Sequence, residues 1–337
     1  MRVAVIGAGG WGTALSLVAA RAGHEVRLWS RNEFVVEDIN VRRVNGAYLA
    51  GYALPEGVRA TTDAGAALEG AGLVVLAAPS HATRGVLEGM RGLFEPGAVL
   101  VSATKGVEVE TGERISEVVA GVLGGDAAKR FACLSGPSFA QEVAAGQPTA
   151  VVAAARDDAL ARLVQRALSA QNFRVYTNPD LVGTELGGAT KNVMALAAGM
   201  AAGLGLGANT VSALVTRGLA EMTRLALAEG GRLETLMGLA GLGDLVLTCT
   251  GGLSRNRFVG QELGRGRPLA EVLKGMREVA EGVRTTRAVR LLAARRGVEL
   301  PITEEVHAVL YEGKAARAAV ESLITRPLKE EFEVTRL

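Results

Sequence analysis

Through the first half of the chain, short apolar runs alternate with longer stretches in which apolar positions recur three and four residues apart. The runs Arg2–Ile6, Glu25–Trp29, Leu73–Ala77, Val99–Ala103, Phe131–Leu134, Ala150–Ala154 and Arg174–Tyr176 read as strands. Several are apolar at every position and leave no wet face, which predicts a parallel sheet covered by helices on both sides. Past Asn178-Pro179-Asp180 the strand-like runs stop. The remaining periodicity predicts helices over Leu181–Gly203, Thr210–Ala228, Asn256–Leu263, Leu269–Lys274, Val283–Arg295 and Thr303–Tyr311. The expected fold is α/β, with a doubly wound N-terminal domain over residues 1–180 and an all-helical C-terminal domain over residues 181–337.

Composition narrows the classes. Apolar residues make up 49% of the 337, and 37 basic against 35 acidic side chains leave a net charge of +2. Such a chain can bury a sizeable core, so global disorder is excluded, and the length suits two domains. Balanced charge without like-charge runs argues against a dedicated nucleic-acid binder, so any anion bound is expected to be small. The two cysteines, Cys133 and Cys249, stand in neither a CxxC nor a zinc-ligand spacing, and no metal site is expected. The opening MRVAVIG lacks the basic region and long apolar stretch of a secretory signal, so cytoplasmic residence is expected. The longest uncharged stretch, Val193 to Ala208, stops short of a comfortable membrane span and reads as a buried helix, so no integral membrane segment is expected. A homodimer is admitted.

The first strand runs directly into Gly7-Ala8-Gly9-Gly10-Trp11-Gly12, a GxGxxG, and then into the helical pattern Thr13–Ala22. In that context Gly7 permits a tight turn, Gly9 lets backbone approach a pyrophosphate, and Gly12 lets helix pack on strand. A Rossmann-type dinucleotide site follows, with Trp11 either lining the cofactor or merely packing. The second strand ends Leu28-Trp29-Ser30-Arg31-Asn32, without the carboxylate that usually accepts from the ribose 2′-hydroxyl of NAD. Arg31 can pair with a 2′-phosphate or be an ordinary surface arginine, so NADP is favoured or at least tolerated. Ligands of such sheets bind beyond the carboxyl ends of the strands, where this chain delivers Ala78-Pro79-Ser80-His81, Thr104-Lys105-Gly106 and Ser135-Gly136-Pro137-Ser138-Phe139-Ala140.

Lysine is scarce, six against thirty-one arginines. A guanidinium does not give up its proton in practice, whereas an ammonium can serve as an acid or base, which draws attention to Lys105 and Lys191. Lys191 lies in Gly187-Gly188-Ala189-Thr190-Lys191-Asn192-Val193, where small and apolar neighbours give a charge no obvious reason to be, apart from snorkelling at a helix surface. Further on, Gly238-Leu239-Ala240-Gly241-Leu242-Gly243-Asp244 precedes Thr248, Cys249 and then Ser254-Arg255-Asn256-Arg257. Ser254 as an N-cap would gather hydroxyl, guanidinium, amide and backbone N–H groups into a small phosphate cradle. Asp244 would orient Lys191 or a substrate hydroxyl, or simply close a turn. His24 and His307 read as structural, and His81, at the ligand edge, has no carboxylate near it in sequence, so lysine is the favoured proton donor. Cys249 could serve as nucleophile in a four-electron sugar-nucleotide oxidation, but a buried structural thiol is the commoner case.

Taken in order, GAGGWGTAL, ATKGVEVETG, LSGPSFAQEVAAGQPTA, GGATKNVMALAAGM, NTVSALVTRGLAEM, GLAGLGDLVLTCTGGLSRNR and VAEGVRTT resemble the bacterial NAD(P)-dependent glycerol-3-phosphate dehydrogenases over nearly the whole chain. That resemblance implies reversible reduction of dihydroxyacetone phosphate to sn-glycerol 3-phosphate with NADP or NAD, feeding phospholipid synthesis. It implies Lys191 as proton donor and acceptor, with Lys105, Gly136, Ser138, Asp244, Ser254, Arg255 and Asn256 around a small phosphorylated substrate. It also places Gly10, Trp11, Arg31, Lys105, Ala140, Arg255, Val279 and Glu281 at cofactor-contacting positions, beside Gly7, Gly9 and Gly12. The chain departs from the family at Gly10, where serine is frequent, and at Tyr48-Leu49-Ala50-Gly51, usually YLPG; both bear on loop detail and cofactor affinity. Two rivals are a dehydrogenase of a sugar acid or 2-hydroxy acid, and a dinucleotide sensor needing neither Lys191 nor the Ser254–Asn256 cradle.

Overall fold

The computed structural model describes residues 1–276, 280–328 and 330–331. By internal packing the chain divides into two units, Met1–Lys105 with Glu113–Leu181 and Gly106–Gly112 with Val182–Leu337.

The first unit is built on one sheet of eight strands: β1 (Arg2–Ile6), β2 (Glu25–Trp29), β3 (Val58–Thr61), β4 (Leu73–Leu76), β5 (Val99–Ser102), β6 (Phe131–Ser135), β7 (Thr149–Ala154) and β8 (Phe173–Asn178). Their order is β3-β2-β1-β4-β5-β6-β7-β8. The centre is dry, with β4, β5 and β6 buried at every residue. The doubly wound Rossmann-type arrangement is therefore present, with two corrections.

β3 was not expected. It is a four-residue edge strand in which Arg59 is exposed, so too few apolar positions mark it against a loop background. The sheet is also not wholly parallel, because β6 and β7 pair antiparallel, Cys133 opposite Ala154. Their connection holds the five-residue helix Ala140–Ala144. In this antiparallel pair β7 leaves from the end where β6 arrives.

The second unit is helical: Leu181–Gly203, Ala208–Ala228, Leu233–Met237, Asp244–Thr250, Arg255–Gly264, Leu269–Lys274, Glu281–Arg296, Pro301–Tyr311 and Ala316–Ile324. The first of these has the expected bounds, and the longest uncharged stretch, Val193 to Ala208, belongs to it as far as Gly203. The chain then turns, with Gly205 at φ +77°. Leu233–Met237, Asp244–Thr250 and Ala316–Ile324 are additions to the expected set. The first two flank a π-helical turn, Leu239–Gly243, that contains Gly241 and Gly243. Their role here is close approach: a Cβ on Gly241 would lie 2.0 Å from Leu236 O, and one on Gly187 would lie 2.5 Å from Ala240 O. Among the described residues no helix is long and apolar enough to cross a membrane.

Candidate active site

In the first unit, β1 ends at Gly7, whose φ of +115° an L side chain rarely adopts. A Cβ on Gly12 would fall 1.9 Å from Gly7 O, so the turn closes only with glycine there. The helix begins at Gly10, three residues earlier than the periodicity implied, which places Gly10, Trp11 and Gly12 in its first turn. Gly9 is the N-cap, and nothing lies within 4 Å of the place a Cβ would take, leaving backbone open to an approaching anion. The turn is buttressed by Asn45, fully buried, whose Nδ2 donates to Ala8 O at 2.9 Å and to Thr13 Oγ1 at 2.8 Å. Sequence reasoning missed Asn45; it is distant in the chain, and Asn45-Gly46 reads as a turn.

Three of the strand-end residues meet. Lys105 Nζ donates to Gly136 O at 2.8 Å and to Ser138 Oγ at 3.3 Å, and Ser138 Oγ donates to Gly136 O at 2.9 Å. Gly136 has φ +135° and passes within 3.0 Å, measured from a built Cβ, of the Val151 backbone. Lys105 Nζ also lies 5.8 Å from the Trp11 ring centroid, joining the nucleotide turn to the strand-end group. The Trp11 Nε1 is buried without a hydrogen-bond partner. A donor held ready in this way, the open backbone at Gly9 and the glycine-only turn all fit a dinucleotide. Ala140 opens the helix Ala140–Ala144, and Arg31 is exposed in the turn after β2. His24, as expected, is structural, its Nε2 lying 2.8 Å from Ala167 O.

In the second unit the long helix Leu181–Gly203 carries Lys191, only 5% exposed, among residues buried on every side. Its Nζ donates to Asp244 Oδ1 at 2.5 Å and to Thr248 Oγ1 at 2.8 Å, and Thr248 Oγ1 donates to Asp244 O at 2.6 Å. Asp244 opens its helix instead of closing a loop, and Thr248, one turn later, shares its face. Thr248 was passed over as a site residue; the Asp-x-x-x-Thr spacing was the available signal. Cys249 is buried, and burial pushes its thiol up to about 12, so it is an inert thiol at neutral pH.

The helix Arg255–Gly264 is pressed against the Lys191 helix through paired glycines. A Cβ on Gly199 would lie 2.1 Å from Arg257 O, and one on Gly260 would lie 2.1 Å from Leu196 O. This contact brings Asn256 to Asn192, with Nδ2 donating to Asn192 Oδ1 at 2.9 Å, while Asn256 Oδ1 accepts from Gly282 N at 2.9 Å. Ser254 Oγ accepts from Arg257 N at 3.2 Å, the expected N-cap. Arg255 is exposed beside it, and Glu281 is the first residue of its own helix. Much of the Asn256 amide is thus used inside the protein. Val279 lies outside the described residues. Among the described residues no group of three or more His, Cys, Asp or Glu side chains is arranged to hold a metal ion.

Two family models match the chain: the NAD-dependent glycerol-3-phosphate dehydrogenase N-terminus over residues 2–161 and the corresponding C-terminus over residues 180–321. A glycerol-3-phosphate dehydrogenase [NAD(P)+] of Geobacter sulfurreducens is 54% identical over 330 residues, covering 98% of each chain. One of the same name from Koribacter versatilis is 54% identical over 328 residues, covering 97% of each. The crystal structure of glycerol-3-phosphate dehydrogenase from Coxiella burnetii superposes with a TM-score of 0.92 at 42% identity, covering 96% of this chain and 99% of that one.

Proposed function

The chain belongs to the NAD-dependent glycerol-3-phosphate dehydrogenase family, and from that premise we propose that it reversibly reduces dihydroxyacetone phosphate to sn-glycerol 3-phosphate with NADPH or NADH, supplying glycerophospholipid synthesis. Residues 1–180 hold the nucleotide and residues 181–337 supply the proton and grip the substrate. The observation that carries this reading is the buried Lys191–Asp244–Thr248 group, a charge placed where only chemistry or exact pairing justifies it.

The nucleotide would be held by the turn Gly7, Gly9, Gly10, Trp11 and Gly12, with Arg31, Lys105, Ala140, Arg255, Val279 and Glu281 completing its contacts. When bound, it supplies the hydride for the carbonyl carbon. Lys191, as ammonium, stabilises the oxygen as it becomes an alkoxide and gives it a proton. In the reverse direction the same nitrogen takes the proton from the hydroxyl. Asp244 and Thr248 fix the direction of the ammonium, so no reorientation is needed during the step. Arg255 and Asn256, on the Ser254-capped helix, bind the phosphate, and Lys105, Gly136 and Ser138 bind the rest of the substrate. NADPH is the preferred cofactor, supported by the exposed Arg31 and the absence of a carboxylate closing β2.

A homodimer in the cytoplasm completes the proposal. Exposed Met237, Leu242, Val246 and Phe258 support a second copy as partner. The deciding test is loss of reduced-nicotinamide absorbance with dihydroxyacetone phosphate, run with NADPH and again with NADH. Turnover that requires the phosphate supports the proposal; none with either cofactor, or equal turnover on dihydroxyacetone, overturns it.

A further inference from the structure

One fully buried polar side chain of the first unit, Asn45, takes no part in the proposed chemistry, yet its whole amide is used beside the nucleotide turn. Its Nδ2 donates to Ala8 O at 2.9 Å and to Thr13 Oγ1 at 2.8 Å, while Oδ1 accepts from Tyr48 N at 3.3 Å. The amide has one orientation only, since its reversal would set oxygen against the Ala8 carbonyl and the NH2 group against the Tyr48 N–H. The network runs on through Thr13, 1% exposed, whose Oγ1 accepts from Asn45 and donates to Gly9 O at 2.9 Å.

The loop over residues 43–57 is seated by other groups. Leu49 and Leu54 lie in the core, and the Arg43 guanidinium closes the neck of the loop by donating to Leu54 O at 3.1 Å and to Val58 O at 2.9 Å. The turn, by contrast, depends on Asn45. Ala8 is 5% exposed, and among the described residues no other group donates to its carbonyl. A buried carbonyl stripped of its donor carries a desolvation penalty that reorienting the peptide relieves. Because a peptide unit is planar and trans, holding the Ala8 carbonyl against Asn45 aims the Gly9 N–H the opposite way.

We propose that Asn45 is a positioning residue for the dinucleotide. It touches no part of the ligand; by fixing the Ala8–Gly9 peptide, directly and through Thr13, it sets the backbone that meets the pyrophosphate. This rests on the reading of Gly7–Gly12 as the pyrophosphate turn.

The test is titration calorimetry of the full chain with NADPH and with NADH, alongside kinetics at saturating cofactor. Loss of the donor to a buried carbonyl raises the dinucleotide Kd about tenfold in Asn45→Ala. Thr13→Val, which keeps the side-chain shape, raises it about fivefold, and Thr13→Ser returns it to within about twofold of the parent. The double variant Asn45→Ala with Thr13→Val loses less than the product of the two single losses, as groups in one network do. Throughout, kcat and the KM for dihydroxyacetone phosphate stay within about twofold, whereas a merely structural part would lower the melting temperature and leave the Kd of the folded protein in place. A Kd for Asn45→Ala within about twofold of the parent overturns the proposal, as does a double variant that loses the full product, or a fall in kcat that matches the rise in Kd. If Asn45→Ala does not fold, Thr13→Val decides, and an unchanged Kd there overturns the proposal. A parent that binds neither dinucleotide overturns the reading of the turn and the proposal together; a parent that binds, with variants that bind equally well, overturns the proposal alone.

Discussion

Replacing Asp244 by Asn keeps the shape of the site and removes one of two buried charges. The Lys191 and Asp244 side chains are 7% and 1% exposed, so water cannot replace the lost carboxylate. Breaking a buried pair by removing one partner costs about 3–5 kcal/mol, because the remaining charge is left without compensation. For a unit of this size each kcal/mol moves the midpoint by about 2–4 °C, so the helical unit should melt about 6–20 °C lower. The same reasoning gives a contrasting expectation for removing both charges. Lys191→Met combined with Asp244→Leu should restore stability to within about 1 kcal/mol of the parent, since the desolvation cost disappears with the pair. The assay is calorimetry or urea denaturation of the single and double variants at one pH. A loss below about 1 kcal/mol for Asp244→Asn, or a double variant as unstable as the sum of the singles, would refute a desolvated pair.

Gly260→Ala would place a Cβ 2.1 Å from Leu196 O, so the two helices must separate; a loss of about 1–3 kcal/mol is expected in a thermal melt. Glu221, on Ala208–Ala228, accepts from Ile302 N at 2.5 Å and Thr303 N at 3.2 Å, serving as a cap for Pro301–Tyr311 in which Pro301 has no N–H to offer. Burial raises its carboxyl from 4.5 to about 7, against the lowering effect of those bonds. The native state then holds a proton that the unfolded chain has released, so stability declines as pH rises from 4.5 to about 7, by about 3 kcal/mol at most; Glu221→Gln should flatten that slope in denaturation curves at pH 5 and 8. Arg255→Ala should raise KM for dihydroxyacetone phosphate by about 10–100-fold with kcat little changed, and an unchanged KM removes the phosphate cradle.

The legible parts of the fold were those that a buried sheet writes as uninterrupted apolar runs, such as β4 and β5. The edge strand β3 was lost because Arg59 faces outward and interrupts its pattern. The reversal at β7 leaves no mark in strand composition. At the nucleotide turn the glycines state a backbone requirement, and the structure shows it at Gly7 and Gly12. Around residues 238–243 glycine serves close helix contact, a requirement set by tertiary packing. Lys191 stood out by residue choice against an arginine-rich background. Its partnership with Asp244 and Thr248 is set by tertiary contact across more than fifty residues, which spacing alone does not encode. Asn45 was silent for the same reason.

The proton-donor role of Lys191 is tested most directly by Lys191→Ala, with NADPH affinity and dihydroxyacetone phosphate turnover measured on the same folded preparation. General acid catalysis of this kind is worth about 10²–10⁴-fold, so turnover should fall by at least about a hundredfold while NADPH affinity stays within about twofold. Turnover within about tenfold of the parent would contradict the assignment and return the buried ammonium to a purely structural part.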